Sequence, residues 1–280
     1  MDSTQNELQD WIGRISEAED VVTPRLVASF TATLEPHLAA VEPPTAPLGI
    51  HWCLAPEMVE TTNLGSDGHA VKGNFLPPVP LPRRMWAGSA IKFLAPLHVG
   101  DRIRRRSTVR DIVQKQGRTG PLCFVTVRHQ FESDRGLAIE EDHAIVYREA
   151  ASGPAAPAMP AGETSQGVVL QSVAVDPVLL FRYSALTFNG HRIHYDAPYA
   201  TSVEHYPGLV IHGPLQATLL LNLAAKRGEG CPRRYSFRGV NPATGSQHLQ
   251  LGAESGENRG LALWIRDAAG AMTMKATAEW

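Results

Sequence analysis

The residue types that could carry out chemistry are concentrated between positions 189 and 213. Asn189, His194 and Asp196 lie close together, and His212-Gly213 follows at the start of an apolar stretch. Polar groups held near a core must be hydrogen-bonded or used, because burying them unpaired is costly. An imidazole can act as a general base, an amide can orient water, and a helix N-terminus can receive a developing oxyanion. The set therefore indicates addition or removal of water at a carbonyl-activated double bond.

Each of these side chains also has a structural alternative. His194 could be a base with a pKa near the operating pH, or a core histidine tied to a backbone carbonyl. Asn189 cannot be a base, but its amide can orient water, and Asn-Gly is also a common turn dipeptide. Asp196 could orient the imidazole or cap the turn before Ala197-Pro198. The pattern leaves these alternatives open and favours the turn for Asp196.

The composition is that of a globular protein rather than a nucleic-acid-binding one. The chain has 280 residues, of which 43% are hydrophobic and 19% charged, so it can bury a large core in one or two domains. A formal net charge of −2 argues against a nucleic-acid partner. Three cysteines without a CxxC pair fit a reducing compartment. A polar N-terminus, and no apolar run of about 18–20 residues, predict a cytoplasmic protein without a membrane segment.

A stretch rich in alanine, proline and glycine divides the chain. We interpret residues 151–167 as a linker between an N-terminal half, residues 1–150, and a C-terminal half, residues 168–280. Each half is predicted to place a helix, Pro24–Leu38 or Gly213–Arg227, ahead of its strands. The strands are expected at Ser89–Phe93, Arg102–Ile112, Leu122–Phe131 and Ala138–Arg148, and at Tyr235–Val240, Ser246–Gly252, Leu261–Arg266 and Met272–Glu279.

The helix expected at Gly213–Arg227 is the strongest indicator of the fold. It is apolar nearly all round, so it should be buried with a sheet wrapped around it. One buried helix and a curved antiparallel sheet, present twice, form a tandem hotdog. We therefore predict an α+β double hotdog whose C-terminal half carries the catalytic residues and whose N-terminal half binds substrate.

The segment Asn189–His194 resembles the hydratase motif of the MaoC-like hotdog dehydratases and (R)-specific enoyl-CoA hydratases. In that family a catalytic Asp precedes the His; His194 matches the His, whereas Asn189 stands at the Asp position. Asp67-Gly68-His69 and the run Leu-Pro-Arg-Arg-Met-Trp-Ala-Gly at 81–88 look like one subgroup. That subgroup contains the mesaconyl-CoA and itaconyl-CoA hydratases and the mitochondrial-type hydroxyacyl-thioester dehydratases. The resemblance covers most of the chain from Trp52 to about Gly239.

The resemblance implies roles for the residues that match. His194 would be the acid–base group, Asn189 would position water, and the N–H of Gly213 would polarise a thioester. Either Arg83 or Arg84 would bind a second substrate carboxylate or a coenzyme A phosphate, unless both are exposed loop residues. The remaining expected substrate contacts are His212, Asp196 and Trp86, the last with a plain core position as its alternative.

We therefore expect a hydratase, a lyase that adds water to a C5 dicarboxylic enoyl-CoA such as itaconyl-CoA or mesaconyl-CoA and gives citramalyl-CoA. No metal or redox cofactor is implied, and coenzyme A enters only as part of the acyl-CoA substrate. No nucleic acid or membrane is expected as a partner, and a homo-oligomer is possible. The alternatives are a 3-hydroxyacyl-thioester dehydratase of fatty-acid metabolism and a non-catalytic hotdog that binds acyl thioesters.

Overall fold

The computed structural model describes residues 7–117, 120–150, 168–228, 230–256 and 260–280. The N-terminal strands are β1 (Ile15–Val21), β2 (Arg83–Phe93), β3 (Arg102–Gly117), β4 (Gly120–Ser133) and β5 (Gly136–Arg148). The C-terminal strands are β6 (Val169–Val175), β7 (Arg234–Gly239), β8 (Gln247–Ser255), β9 (Leu261–Arg266) and β10 (Met272–Glu279). They form one ten-stranded sheet in the order β1-β3-β4-β5-β2-β7-β10-β9-β8-β6.

The two halves join through β2 and β7. These strands pair antiparallel, with Gly88 opposite Arg238 and Ala90 opposite Ser236. A Cβ at Gly88 would lie 2.2 Å from the carbonyl oxygen of Phe237, so only glycine allows this close approach. The predicted linker at 151–167 lies outside the described residues, and the division of the chain there stays a prediction.

Within the described ranges, three α-helices of ten or more residues accompany the sheet: α1 (Pro24–Leu34), α2 (Pro177–Leu186) and α3 (Gly213–Arg227). The Thr23 side chain caps α1 by accepting the N–H of Leu26. This helix ends at Leu34 and not at the predicted Leu38, because Glu35 precedes a proline and adopts an extended ψ of 142°. The sequence prediction missed α2 and the edge strands β1 and β6.

The interior is built around α3. Every residue from Leu215 to Ala225 is buried, as the apolar pattern of this helix predicts. Asn222, in the middle of it, is satisfied: its Oδ1 accepts the N–H of Ala39 at 2.9 Å and its Nδ2 donates to the Leu48 carbonyl at 3.1 Å. The helix therefore ties the two halves together through polar as well as apolar contacts. Among the described residues, no helix has the length and apolarity that crossing a membrane requires.

Candidate active site

A cavity of about 1030 Å³ is lined by residues of both halves. The C-terminal half contributes the segment after α2, with Asn189 and His194, and the first residue of α3, Gly213. The N-terminal half contributes the start of β2 and the loop that holds His69. The fold thus brings the predicted catalytic residues to one enclosed space.

His194 is presented as a neutral base. It ends a short 3-10 turn, Arg192–His194, and is 7% exposed. Its Nδ1 lies 2.7 Å from the carbonyl oxygen of Val210, which can only accept, so Nδ1 carries the proton and Nε2 keeps its lone pair. Burial lowers the pKa of His194 to about 4, so the ring is uncharged at pH 7. The carbonyl bond expected of a core histidine is therefore present, and it leaves Nε2 free to take a proton.

His212 lies behind this base. The His194 and His212 rings are stacked with centroids 3.6 Å apart and planes 19° apart. Nε2 of His212 is 2.8 Å from the hydroxyl of Ser184, and the residue is 0% exposed. The sequence predicts a substrate contact for His212, but the buried ring does not line the cavity and instead supports the plane of His194. The contacts of His212 in the structure are thus with His194 and Ser184, and a substrate contact of this residue stays a prediction.

Asn189 combines a turn with a position on the cavity wall. Its Oδ1 accepts the backbone N–H of His191 at 3.0 Å, the local bond that Asn forms in turns. The residue also lines the cavity. The turn alternative is therefore present in the structure, and a role in holding water stays a prediction that rests on the Nδ2 group.

Gly213 is the first residue of α3, and its N–H has no partner within the helix. An ideal Cβ placed on Gly213 meets nothing within 4 Å, and its φ is not left-handed. Apart from its two chain neighbours, no atom therefore occupies the space beside Gly213, which lines the cavity. A free N–H at a helix N-terminus favours negative charge on a nearby carbonyl oxygen.

Asp196 serves the turn rather than the cavity. Its Oδ2 is 2.7 Å from Nη2 of Arg192, and its Oδ1 accepts the N–H of Tyr199 at 3.1 Å. The carboxylate does not orient His194, whose Nδ1 is bonded to Val210. Asp196 is also not among the described residues that line the cavity. Its contacts are those of the turn alternative, and a substrate contact stays a prediction.

The two predicted arginines differ in their partners. Both begin β2 and line the cavity, so neither is an exposed loop residue. Nε of Arg83 is 2.7 Å from Oε2 of Glu204, and its guanidinium lies 5.0 Å from the Tyr206 ring centroid. Arg84 has no carboxylate within ion-pair distance among the described residues. The predicted Trp86 also lines the cavity, with Nε1 donating to the Gly88 carbonyl at 3.0 Å.

A second group beside the site, Asp67 and His69, received no role from the sequence. Nδ1 of His69 lies 2.9 Å from Oδ2 of Asp67. The His69 ring is 4.1 Å from that of His191, which is 5.4 Å from that of His194. With His212, four imidazoles form a row, and burial lowers the pKa of each. Burial would raise the pKa of Asp67, but the hydrogen bond and charge of His69 lower it.

The loop that holds Asp67 and His69 comes very close to the segment 189–194, and each side has a glycine at the point of contact. A Cβ at Gly68 would lie 2.0 Å from the Gly190 carbonyl oxygen, and Gly68 has a φ of +87°. The N–H of Arg192 donates to the Asp67 carbonyl at 2.9 Å. Glycines on both segments are the sequence signal for this contact, although they do not identify each other as partners.

Three of these side chains could also share a metal ion. The donor atoms of Asp67, His69 and His191 all lie within 4.8 Å of one another. Imidazole and carboxylate are suitable ligands for zinc and related ions. Nδ1 of His69 is bonded to Asp67, however, and a neutral imidazole beside a helix N–H is sufficient for acid–base chemistry at a carbonyl compound. The expectation that no metal is needed stays a prediction.

Comparison with known proteins agrees with this geometry. Residues 49–245 match the family model described as hydroxyacyl-thioester dehydratase type 2. The chain is 42% identical to the mesaconyl-C(4)-CoA hydratase of Chloroflexus aurantiacus over 96% of each chain. It is 27% identical to the mitochondrial hydroxyacyl-thioester dehydratase type 2 of Schizosaccharomyces pombe, over 83% of each chain.

Solved structures agree on the fold. HtdX of Mycobacterium tuberculosis matches with a TM-score of 0.69 and 20% identity, covering 95% of this chain and 99% of that one. A second M. tuberculosis protein, described as having a double hotdog fold, matches with a TM-score of 0.60 and 12% identity over 95% of each chain. The predicted α+β double hotdog is confirmed. The chain belongs to the hydroxyacyl-thioester dehydratase type 2 family of MaoC-like hotdog proteins and is a carbon–oxygen lyase of the hydratase and dehydratase type.

Proposed function

We propose that this enzyme hydrates a C5 dicarboxylic enoyl-CoA, such as mesaconyl-CoA or itaconyl-CoA, to give citramalyl-CoA. The observation that carries the proposal is its 42% identity, over 96% of both chains, to a mesaconyl-C(4)-CoA hydratase. The charge of the cavity wall supports an anionic acyl group. Four arginines line it, against two carboxylates: Arg83, Arg84, Arg105 and Arg148, with Glu57 and Glu204.

The mechanism follows from the site. Nε2 of His194 takes a proton from water while the water oxygen bonds to the β-carbon of the enoyl thioester. The N–H of Gly213 donates to the thioester oxygen and stabilises the negative charge that develops there. In mesaconyl-C4-CoA, whose double bond is conjugated with the thioester, the imidazolium then returns the proton to the α-carbon, which completes the addition of water. His212, stacked behind, holds the ring plane during both transfers.

A fatty-acyl thioester dehydratase is the second candidate. It is supported by the family model and by the similarity to the S. pombe mitochondrial protein. Both candidates use the same base and the same helix N–H, so they differ only in the acyl group. The arginines of the cavity wall favour the dicarboxylic substrate, because a long alkyl chain gains nothing from a guanidinium.

The test compares substrates on one enzyme. Purified protein is given mesaconyl-C4-CoA and, separately, crotonyl-CoA, and hydration is followed by loss of the enoyl-thioester absorbance. We expect a higher kcat/KM on mesaconyl-C4-CoA, with His194→Gln as the inactive control. Faster turnover of crotonyl-CoA or of longer monocarboxylic enoyl-CoAs would instead support the dehydratase.

Three further expectations accompany this proposal. The reaction requires no added cofactor, because coenzyme A is part of the substrate. The expected cytoplasmic location and the homo-oligomer of double-hotdog chains also stay predictions. Size-exclusion chromatography with light scattering measures the last of these directly.

A further inference from the structure

Neighbouring strands of the N-terminal half carry a line of polar side chains that the mechanism above does not use. The Ser107 hydroxyl on β3 lies 2.8 Å from Nδ1 of His129 on β4, and Nε2 of His129 lies 3.4 Å from Nδ1 of His143 on β5. The His143 ring packs against the Trp86 ring, tilted by 38°, with centroids 4.2 Å apart. His143 and Trp86 both line the cavity, as does Arg105. The line of polar groups therefore ends at the cavity wall.

Two donors at that end have no partner. Nε of Arg105 and Nε2 of His143 are buried, and neither is hydrogen-bonded within the described part of the chain. The nearby buried carboxylate, Glu141, is already held: its Oε1 accepts the Ser89 hydroxyl at 2.5 Å, and the Trp52 indole lies 3.2 Å from Oε2. Burial raises the pKa of Glu141 to about 7, so it is an incomplete counter-charge for a guanidinium. A buried cation without a full counter-charge is costly unless a ligand supplies one.

Arg84 connects these donors to the catalytic histidines. No carboxylate lies within ion-pair distance of Arg84 or Arg105 in the ranges that the structure describes, whereas Arg83 is paired with Glu204. Burial is the main cause of the low pKa of His69 and of His143, and the positive charge of Arg84 lowers both further. Arg84 is thus within electrostatic reach of the row of four imidazoles on one side, through His69, and of His143 on the other.

We propose that Arg84, Arg105 and His143 form the subsite that binds the free carboxylate of the acyl group. This inference rests on the proposed function and deepens it, because it names the groups that select a dicarboxylic substrate. The two guanidinium groups supply charge and donors, and Nε2 of His143 supplies a neutral donor. Arg83 is excluded from this role because Glu204 already satisfies it.

A carboxylate suits this position better than a coenzyme A phosphate does. The unpartnered atoms are buried, so a group that reaches them must be small and must enter with the acyl chain. The two sources of negative charge can be separated by experiment, because mesaconyl-C4-CoA and crotonyl-CoA carry the same phosphates and differ in the acyl carboxylate.

The test uses the variants Arg84→Gln, Arg105→Gln and Arg105→Lys, each assayed on both substrates. Arg148→Gln is the matched control, since Arg148 also lines the cavity and also lacks a carboxylate within ion-pair distance in the described residues. We expect each glutamine variant to lose roughly 30-fold or more in kcat/KM on mesaconyl-C4-CoA, and far less on crotonyl-CoA. Arg105→Lys should recover part of the loss, and Arg148→Gln should change both substrates by the same factor.

The ratio of the two kcat/KM values within one preparation is the readout, so a partly unfolded variant cannot imitate the result. Equal losses on both substrates would overturn the subsite and assign the arginines to coenzyme A. A change of the ratio in Arg148→Gln alone would move the subsite to Arg148. Failure of the wild-type enzyme to turn over any dicarboxylic enoyl-CoA would instead refute the proposed function, which is a distinct outcome.

Discussion

Two replacements of Gly213 distinguish the role of its N–H from the effect of added side-chain bulk. Gly213→Ala keeps the N–H and adds a methyl group where no atom other than those of its two chain neighbours lies within 4 Å. Gly213→Pro adds similar bulk and removes the N–H. Both variants place a Cβ next to the ring of Pro214, so they share that crowding. The first position of a helix suits the φ of proline, and His212 already has the extended ψ of 133° that a residue before proline requires.

The expected changes in kcat follow from the position of Gly213 at the start of α3. Loss of one oxyanion donor costs about 2.7–4 kcal/mol of barrier, so Gly213→Pro should lower kcat by about 10²–10³ relative to Gly213→Ala. The alanine variant should stay within about tenfold of the wild type, a difference of about 1.4 kcal/mol. Its thermal stability reflects two opposed effects: the preference for alanine over glycine in helices, up to about 1 kcal/mol, and the crowding of the new Cβ by the Pro214 ring.

Steady-state hydration of mesaconyl-C4-CoA measures the rates, and circular dichroism with thermal unfolding shows that each variant is folded. The comparison between the two variants is the informative one, since both fill the same open space. A folded Gly213→Pro enzyme with the same kcat as Gly213→Ala would refute the role of this N–H. The thioester oxygen would then have to be bound elsewhere.

Four further predictions concern the histidines. His194→Gln should lower kcat by about 10²–10⁴ while leaving the circular dichroism spectrum unchanged, and a parent-like rate would remove His194 as the base. Because burial lowers the pKa of His194 to about 4, kcat/KM should stay level from pH 8 to about 5 and fall only below that; an acid limb centred on 6.5 would contradict the buried, neutral ring. Burial also lowers the pKa of His51 and of His143 to about 3, so below pH 6.5 the unfolded chain binds protons that the folded chain does not. The free energy of unfolding should therefore decrease as the pH falls from 6.5 towards 4, by about 1.4 kcal/mol per pH unit for each such histidine, and chemical denaturation at pH 7 and pH 5 tests this. Dialysis against a chelator should leave the hydration rate unchanged, and loss of activity restored by zinc would show that Asp67, His69 and His191 hold an essential ion.

Local sequence patterns were sufficient to predict the helices and strands whose formation depends on residues close together in the chain. The apolar run that became α3 predicted its own burial, because a helix without a polar face must be covered on all sides. Runs rich in Val, Ile, Thr and aromatic residues predicted β4 and β5. The short edge strands and α2 were missed, since their patterns are brief. The helix from Pro24 ends four residues before the predicted Leu38, because Pro36 favours an extended backbone at Glu35.

The motif at 189–194 and the glycine at 213 could likewise be identified by residue type and spacing, and the structure places them on one cavity. Which side chains face that cavity was decided only by the tertiary structure. His212 is adjacent to Gly213 in sequence, yet it packs behind His194, and Asp196 turns to Arg192. The backbone conformation at His212 and at Asp196 sets where each side chain points, and the residue type does not determine that conformation.

Which arginines form an ion pair also depends on contacts between residues that are far apart in the sequence. Arg83 and Arg84 are equivalent in sequence, but only Arg83 meets Glu204, a residue from the other half of the chain. Asp67 and His69 come close to His191 through the contact of Gly68 with Gly190, two residues that are also far apart in the sequence. The sequence alone thus determined the chemistry available and the elements that carry it. The tertiary structure decided which charges are neutralised, because burial and partner distance depend on how the two halves pack.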